Sequence, residues 1–317
     1  MAKYKVLVTS KSFFSLADAK DFLEANDCEV VRPDASKPLA EEVAALLPTV
    51  DAVIAGLEPY TEELIASAPN LKVISRYGVG YDKVDLAAAA AHDVKVTITV
   101  GANENSVADL AMALMLCAAR HVPVMDRTLK EKASVRPVGV EMWQKTLGVV
   151  GGGRIGKGVC KRASGFGMKI LCYDVVHDEA FAKEYGVTYV DLETLLREAD
   201  FITLHVPLFD STRNMIGEKQ FDMMKPTAVI VNTARGGVID EDALYTALKE
   251  GKIAAAGLDA TVEEPAYNSP LTTLDNCILT PHAGATTIDA VRNMGLLAAE
   301  NALDVLNTGS CRYTVTK

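Results

Sequence analysis

The chain alternates short apolar runs, several of them rich in β-branched residues, with longer segments in which apolar residues recur at helical spacing. Some of the short runs are apolar almost throughout, as expected for strands of a parallel sheet that is covered on both faces. Strands alternating with helices indicate βαβ units and a doubly wound α/β fold. We predict ten strands, within the segments YKVLVTS, DAVIAG, LKVISRYG, VKVTITV, TLGVVGG, KILCYD, ADFITLHVP, AVIVNTA, AAAGLDA and CILTPH.

Amphipathic helices are predicted between these strands. The clearest are EELIASA, NSVADLAMALMLCAARHV, RIGKGVCKRASGF, DALYTALKEG and IDAVRNMGLLAAENALDVLNTG. Gly251 is expected to end the fourth of them. The second, over residues 106–122, is too apolar for a solvated surface helix, and we expect it to be buried in the core or in a dimer contact.

Composition narrows the class of protein. A chain of 317 residues is long enough for two domains, and 49% apolar with 23% charged residues is typical of a folded protein with a substantial core. The net charge of −10 argues against a nucleic-acid partner, because such binding rests on clustered Lys and Arg. No signal peptide and no run of ~20 apolar residues is apparent, so we expect a cytoplasmic protein without a membrane partner.

The segment TLGVVGGGRIG contains one register of the motif G-x-G-x-x-G, formed by Gly151, Gly153 and Gly156. After a predicted strand and before a predicted helix, these residues would permit a tight turn, leave room for a pyrophosphate, and let the helix pack closely. The pyrophosphate would lie at the N-terminus of that helix, where amide donors are free. A glycine-rich turn without a ligand is the alternative.

An acid at the end of the next predicted strand distinguishes these readings. Asp174 follows Gly156 by eighteen residues, the position from which a carboxylate can accept both ribose hydroxyls of a dinucleotide. The same charge would repel a 2′-phosphate, and the following Val175 and Val176 supply no cation to hold one. The sequence therefore predicts an NAD site rather than an NADP site.

The position of the glycine motif also suggests the domain organisation. A dinucleotide-binding fold carries this motif after its first strand, yet about 145 residues precede that strand here. These residues must form another unit, to which the last long helix could return. We therefore expect one domain over residues 1–101 with 292–317 and an NAD-binding domain over residues 102–291.

Hydride transfer between NAD and a carbonyl requires an acid to protonate the oxygen, a cation to hold the substrate, and a dry pocket. Polar residues at the ends of three predicted strands are candidates for this chemistry. They are Arg235 in NTARGG, Glu263 and Glu264 in DATVEEP, and His282 in TPHAG. No group of residues has the spacing of zinc ligands, and no metal is expected.

Several longer motifs occur together in one order: SRYGVGYDKVDL, NENSVADLAMALML, KTLGVVGGGRIG, HVPLFDSTRNMI, NTARGGVIDEDAL, AAAGLDATVEEP and ILTPHAGATT. With these motifs the chain resembles the D-2-hydroxyacid dehydrogenase family, most closely its short phosphoglycerate-dehydrogenase-like members. A homodimer is expected, with the apolar helix after residue 105 helping to pair two subunits. The resemblance implies a Rossmann NAD-binding domain and a flavodoxin-like substrate domain. It also implies the catalytic set Arg235, Glu264 and His282, with Glu263 as a solvated neighbour.

These three residue types suit the implied reaction. Charged His282 would give a proton to the carbonyl oxygen, while Glu264 would orient the imidazole and favour its charged form. Arg235 presents a planar fork that suits a carboxylate and can polarise the adjacent carbonyl. His205, in LHVP, is expected to border the cofactor through its backbone and not to act as the acid.

The resemblance implies further contacts. Amides of the turn Tyr77 to Gly80 would form a nest for the substrate carboxylate, and Asp259 would face the nicotinamide carboxamide. The substrate contacts implied are Arg76, Tyr77, Gly78, Val79 and Arg235. The cofactor contacts implied, besides the three motif glycines and Asp174, are Val79, Arg154, Ile155, Val206, Pro207, Thr233, Ala234 and Asp259.

One departure from the family concerns the substrate. Phosphoglycerate dehydrogenases commonly carry an arginine for the phosphate after the strand DAVIAG, where this chain has Gly56, Leu57 and Glu58. An acid there would oppose a phosphate, leaving Arg76, Lys83 or Arg136 to compensate. The expected function is interconversion of a D-2-hydroxy acid and its 2-keto acid, by a phosphoglycerate dehydrogenase or by a hydroxypyruvate or glyoxylate reductase. A corepressor-like protein that senses NAD is a more remote alternative.

Overall fold

The computed structural model describes residues 2–316, which form two compact units. One unit comprises the chain up to Asn103 together with the segment from Thr286 onwards, and the other comprises Glu104–Ala285.

The first unit is built on a five-stranded sheet in which all neighbouring strands are parallel. Its strands are β1 (Tyr4–Val8), β2 (Cys28–Val31), β3 (Ala52–Ala55), β4 (Val73–Arg76) and β5 (Lys95–Thr97). The order across the sheet is β2-β1-β3-β4-β5, which is flavodoxin-like. Alternate residues of β1 explain its apolar run, because Leu7 enters the core on one face of the sheet while Val6 and Val8 enter the core on the other.

Four short helices connect these strands. They are α1 (Asp18–Ala25), α2 (Leu39–Leu46), α3 (Glu62–Ala66) and α4 (Leu86–Ala91). The Thr61 and Asp85 side chains cap α3 and α4 by accepting hydrogen bonds from the backbone N–H groups of Leu64 and Ala88.

The second unit contains a seven-stranded parallel sheet. Its strands are β6 (Thr146–Val150), β7 (Lys169–Tyr173), β8 (Val187–Tyr189), β9 (Phe201–Leu204), β10 (Val229–Asn232), β11 (Ala255–Leu258) and β12 (Cys277–Leu279). The order β12-β11-β10-β9-β6-β7-β8 extends the Rossmann order by one strand. Its direction reverses between β6 and β9, the position at which such sheets bind ligands.

The helices of the second unit cover both faces of this sheet. They are α5 (Glu104–Ala119), α6 (Val122–Lys130), α7 (Arg154–Ser164), α8 (Glu179–Tyr185), α9 (Leu192–Glu198), α10 (Glu218–Met223) and α11 (Glu241–Lys249). Nine residues of α5 are buried, Met115 completely, so the core position expected for the apolar helix is correct. Its predicted end at Val122 is wrong: the chain turns at His121, where φ is +52°, and α6 begins anew.

The last helix, α12 (Ile288–Thr308), belongs to the first unit. The Ser75 hydroxyl on β4 donates to the Ala298 carbonyl at 2.8 Å, and Asn301 is buried while donating to the Ile98 carbonyl. Gly309 ends α12 with φ of +76°. Among residues 2–316 no single helix is long and apolar enough to cross a membrane; α5 and α6 reach that length and composition only as a pair bent by 65°.

All ten predicted strands occur, and the two parallel sheets confirm the predicted fold class. Two strands, β2 and β8, were missed. Both lie at sheet edges, are only four and three residues long, and carry exposed or half-buried residues, so neither has the apolar run that marks an inner strand.

Candidate active site

The glycine motif forms a tight turn between β6 and α7, where two glycines are required by the backbone. Gly151 has φ of +101°, and a Cβ there would lie 2.8 Å from the carbonyl carbon of His205, the residue after β9. A Cβ on Gly156 would lie 2.0 Å from the Gly151 carbonyl oxygen. Any larger residue at either position would therefore force the backbone to move.

Gly153 differs, because a Cβ at this position would have nothing within 4 Å. It is the exposed N-cap residue of α7, and no side chain among residues 2–316 caps this end of the helix. Amide donors and the positive end of the helix dipole thus face open space above a residue with no side chain. This cradle suits the pyrophosphate of a dinucleotide.

Asp174 lies beside the same turn, immediately after β7. Its Oδ2 accepts the Gly152 N–H at 2.5 Å, and its Oδ1 accepts the Val176 N–H at 2.9 Å. These bonds fix the carboxylate at the carboxyl edge of the sheet. Val175 and Val176 are 90% and 72% exposed, so two apolar side chains directly follow the carboxylate that is expected at the adenosine ribose.

Replacing Asp174 with asparagine is expected to relax the discrimination between NADH and NADPH by about 10-fold, because asparagine keeps an acceptor for Gly152 but removes the charge that repels a 2′-phosphate. Dissociation constants for both cofactors, measured by quenching of protein fluorescence, check this expectation. An unchanged preference for NADH would remove Asp174 from the ribose site.

The three candidate catalytic residues follow three adjacent parallel strands of the second unit. Arg235 comes after β10, Glu264 after β11 and His282 after β12, so all lie at the carboxyl edge of the sheet. The Nδ1 atom of His282 is 2.9 Å from Glu264 Oε1, and the two side chains are 27% and 24% exposed. An imidazole hydrogen-bonded through Nδ1 to a carboxylate leaves Nε2 for a substrate.

Asp259 fixes the loop that carries His282. Its buried carboxylate accepts the Thr280 hydroxyl at 2.6 Å and the backbone N–H groups of Ala283 and Gly284 at 2.7 and 2.8 Å. The His282 backbone, with φ of +52°, donates to the Asp259 carbonyl at 3.0 Å. The resemblance implied a cofactor contact for Asp259, and its positioning of the histidine loop was missed.

Close backbone packing brings the Arg235 and Glu264 segments together. A Cβ on Gly236 would lie 2.1 Å from the Thr261 carbonyl carbon, so only glycine fits beside Thr261. Asn232 Nδ2 donates to the Arg235 carbonyl at 2.7 Å, and the Arg235 guanidinium donates to the Ala234 carbonyl at 2.7 Å. The chain around Arg235 is therefore held on one side by β10 and on the other by the segment that leads to Glu264.

Glu241 is a second positioning residue that sequence reasoning missed. This half-buried residue at the start of α11 accepts the Val262 N–H at 2.6 Å, and so anchors the segment carrying Glu264. Burial raises the pKa of Glu241, and the neighbouring carboxylates of Asp242 and Glu264 raise it further. The sequence signal that could have identified Glu241 was an acid at the start of the helix that follows the ARGG segment.

His205 lies under the glycine turn, where burial lowers its pKa to about 3. Its Nε2 is 2.9 Å from the Thr203 hydroxyl and its Nδ1 is 3.5 Å from the Thr233 hydroxyl. A histidine with this pKa is neutral near pH 7, which argues against His205 as the proton donor.

The other predicted cofactor contacts lie near the same edge of the sheet. Thr233 is buried, while Ala234 is half-buried with its N–H bonded to Asn232 Oδ1 at 3.0 Å. Half-buried or exposed positions are occupied by Arg154, Ile155, Val206 and Pro207.

The predicted substrate contacts in the first unit lie at the end of β4 and in the turn that follows it. Arg76 is only 3% exposed, and its guanidinium donates to the Gly80 and Ala55 carbonyls at 2.9 and 3.1 Å. The Tyr77 hydroxyl donates to the Val291 carbonyl of α12. At Gly78, where φ is +146°, a Cβ would have nothing within 4 Å. The turn therefore offers backbone groups to a ligand, while the Arg76 and Tyr77 side chains support it from within.

Residues 112–284 match the family described as D-isomer specific 2-hydroxyacid dehydrogenase, NAD binding domain. The chain belongs to this family. It is an NAD-dependent oxidoreductase, which confirms the class of enzyme and the cofactor predicted from the sequence.

Three curated relatives carry three different names. The chain is 44% identical over 278 residues to a glyoxylate reductase of Korarchaeum cryptofilum, covering 85% of this chain and 84% of the relative. It is 42% identical over 311 residues to a hydroxypyruvate reductase of Thermotoga maritima, covering 95% and 97%. It is 50% identical over 249 residues to a D-3-phosphoglycerate dehydrogenase of Methanocaldococcus jannaschii, covering 78% of this chain but 48% of the relative.

Solved structures agree with the fold. A protein from Thermus thermophilus superposes with a TM-score of 0.89 at 33% identity, covering 98% of this chain and 99% of that one. A D-lactate dehydrogenase from Aquifex aeolicus, complexed with NAD and lactic acid, superposes with a TM-score of 0.84 at 30% identity, covering 99% of both chains.

Proposed function

We propose that the protein reduces a small, unphosphorylated 2-keto acid to the D-2-hydroxy acid, with glyoxylate and hydroxypyruvate as the leading substrates. The observation that carries the proposal is the hydrogen bond between His282 Nδ1 and Glu264 Oε1, which provides an oriented acid/base at the carboxyl edge of an NAD-binding sheet. When bound, the cofactor supplies the hydride.

His282 acts as the proton donor. Its Nε2 gives a proton to the carbonyl oxygen during reduction and takes it back during oxidation of the alcohol. Glu264 holds the ring in one orientation through its hydrogen bond to Nδ1. Asp259 and Glu241 keep these two residues in place, through the histidine loop and the Val262 backbone respectively.

Arg235 binds the substrate carboxylate and polarises the adjacent carbonyl. Within the first unit, the backbone amides of the turn from Tyr77 to Gly80 are donors that suit a carboxylate. In this assignment the first unit is the substrate domain and the second is the NAD-binding domain. The sequence-based contacts Arg76 to Val79 act mainly through the backbone, with the Arg76 side chain supporting the turn.

Phosphoglycerate dehydrogenase is the second candidate, favoured by the 50% identity to the relative of that name. Glu58 argues against it, because its carboxylate follows β3 next to the turn after β4, where a phosphate dianion would meet a like charge. An NAD-sensing corepressor-like protein is a weaker candidate, since such a protein has no need of a hydrogen-bonded His-Glu pair.

A substrate panel tests the proposal. Purified protein with NADH should reduce glyoxylate or hydroxypyruvate and should use phosphohydroxypyruvate less efficiently. The decrease in NADH absorbance measures each rate. A preference for phosphohydroxypyruvate would establish the second candidate. Failure to reduce any 2-keto acid would refute the proposed function.

We also propose a homodimer in the cytoplasm. The buried apolar face of α5 packs within its own chain and does not support the dimer. Support comes from exposed apolar side chains on α6 and in the segment between α6 and β6: Leu129 on α6 is 70% exposed, and Val138 and Trp143 after it are 95% and 57% exposed. Light scattering should give a mass of about twice 33.9 kDa, and a mass equal to one chain would exclude the dimer.

A further inference from the structure

The Glu58 carboxylate is fixed at the carboxyl edge of the five-stranded sheet. Its Oε1 accepts the backbone N–H of Gly56 at 3.1 Å, the Tyr60 hydroxyl at 2.7 Å, and the hydroxyl of Thr9, which follows β1. Three donors therefore converge on one oxygen of a half-buried side chain. A carboxylate held in this way has little freedom to turn away from a ligand.

The protonation of Tyr60 defines the direction of these bonds. Tyr60 is completely buried, and this burial, with the adjacent Glu58 charge, raises the pKa of Tyr60 well above its usual value. The phenol therefore keeps its proton and donates it to Glu58, so Oε1 is an acceptor in all three contacts.

The second oxygen of Glu58 is available. Within residues 2–316, no hydrogen-bond donor of the protein reaches Oε2. A Cβ on residue 56 would lie 2.7 Å from Oε2, so the glycine at this position makes room for the carboxylate. An arginine or any other side chain at position 56 would have to displace it. Gly56 and Glu58 together thus present one anionic acceptor, Oε2, at this edge.

Glu58 lies in the loop after β3, at the edge of the sheet where a ligand is expected. The strand order β2-β1-β3-β4-β5 places the switch point between β1 and β3, and Glu58 joins Thr9 after β1 to Gly56 after β3. On its other side, β3 pairs with β4, Ala55 lying opposite Arg76. Neighbouring strands are about 4.8 Å apart, a separation comparable to the length of a three-carbon acid.

We infer that Glu58 is a specificity-determining residue whose Oε2 accepts a hydrogen bond from a hydroxyl at the end of the substrate remote from its carboxylate. The inference rests on the proposed function and names its substrate class: three-carbon 2-keto acids with a C3 hydroxyl, that is hydroxypyruvate, and glycerate in the reverse direction. A methyl group at C3 leaves Oε2 without a donor, and a phosphate there meets a like charge.

Substrates that differ only at C3 test this inference in the unaltered protein. Hydroxypyruvate should exceed both pyruvate and phosphohydroxypyruvate in kcat/KM by about 10-fold or more, the effect expected of a hydrogen bond to a charged group. Glyoxylate, which has no C3, serves as the reference. Equal kcat/KM for hydroxypyruvate and pyruvate would overturn the inference without touching the proposed function, provided that glyoxylate is reduced.

The variant Glu58→Gln tests the residue itself. Glutamine keeps an acceptor oxygen for Thr9, Gly56 and Tyr60 but removes the charge. We expect the ratio of kcat/KM for hydroxypyruvate to that for glyoxylate to fall about 5- to 10-fold, and the ratio for phosphohydroxypyruvate to glyoxylate to rise. The control is Glu62→Gln on α3, an exposed acid nearby whose replacement removes the same charge and should leave both ratios unchanged.

The outcomes separate the two proposals. Unchanged ratios in a folded Glu58→Gln variant, with glyoxylate still reduced by the unaltered protein, would overturn the role of Glu58 and leave the proposed function standing. Equal changes of the kcat/KM ratios in Glu62→Gln would also overturn the role of Glu58, because loss of any nearby negative charge would then explain the effect. Absence of reduction of every keto acid by the unaltered protein would overturn both. If the variant does not fold, the hydroxypyruvate-to-pyruvate ratio of the unaltered protein decides.

Discussion

Replacing His282 with alanine is expected to lower turnover with glyoxylate or hydroxypyruvate by about 10²-fold or more while the affinity for NADH stays the same. The reason is that the variant has no group to protonate the carbonyl oxygen, whereas the glycine turn and Asp174 lie at other strand ends and are untouched. Steady-state kinetics, together with an NADH titration followed by fluorescence, measure the two effects separately.

The matched control is His92→Ala, which removes an exposed histidine at the end of α4 and should leave turnover unchanged. Retained turnover in the His282 variant would mean that another group donates the proton. His205 is a poor replacement, because burial lowers its pKa to about 3 and it would be neutral at the pH of the assay.

Alanine at two glycines of the same turn is expected to affect stability differently. In Gly156→Ala the new methyl group would overlap the Gly151 carbonyl oxygen at 2.0 Å, so the turn must shift, and we expect a loss of about 1–3 kcal/mol in the free energy of unfolding. In Gly153→Ala the methyl group meets open space, and φ of −70° suits any residue, so stability should be unchanged.

The affinity for NADH is expected to fall in Gly153→Ala, although this variant keeps its stability. Gly153→Ala places a methyl group where the pyrophosphate would approach the backbone, and the affinity for NADH should fall by at least about 10-fold in a protein of normal stability. Thermal unfolding and NADH titration of both variants check the pair. Unchanged NADH affinity in Gly153→Ala would mean that the dinucleotide does not approach this glycine.

The sequence determined the fold class because its signals are local. Runs such as YKVLVTS and AVIVNTA are apolar on both faces of a strand, and this predicts parallel strands under helices without knowledge of their neighbours. The glycine motif and Asp174 were recognisable for the same reason: the turn, helix and acid follow one another within 24 residues, from Gly151 to Asp174. Edge strands β2 and β8 lacked such a signal, because they are short and partly exposed.

Only the tertiary structure decided how the candidate site is held together. Glu264 and His282 are eighteen residues apart, and their hydrogen bond exists because β11 and β12 are neighbours in the sheet. The support given by Asp259 and Glu241, and the acceptor that Gly56, Thr9 and Tyr60 make of Glu58, likewise depend on strand order and loop packing. Residue types and spacing give the chemistry that is available, whereas long-range packing decides which polar atoms are consumed internally and which remain for a substrate.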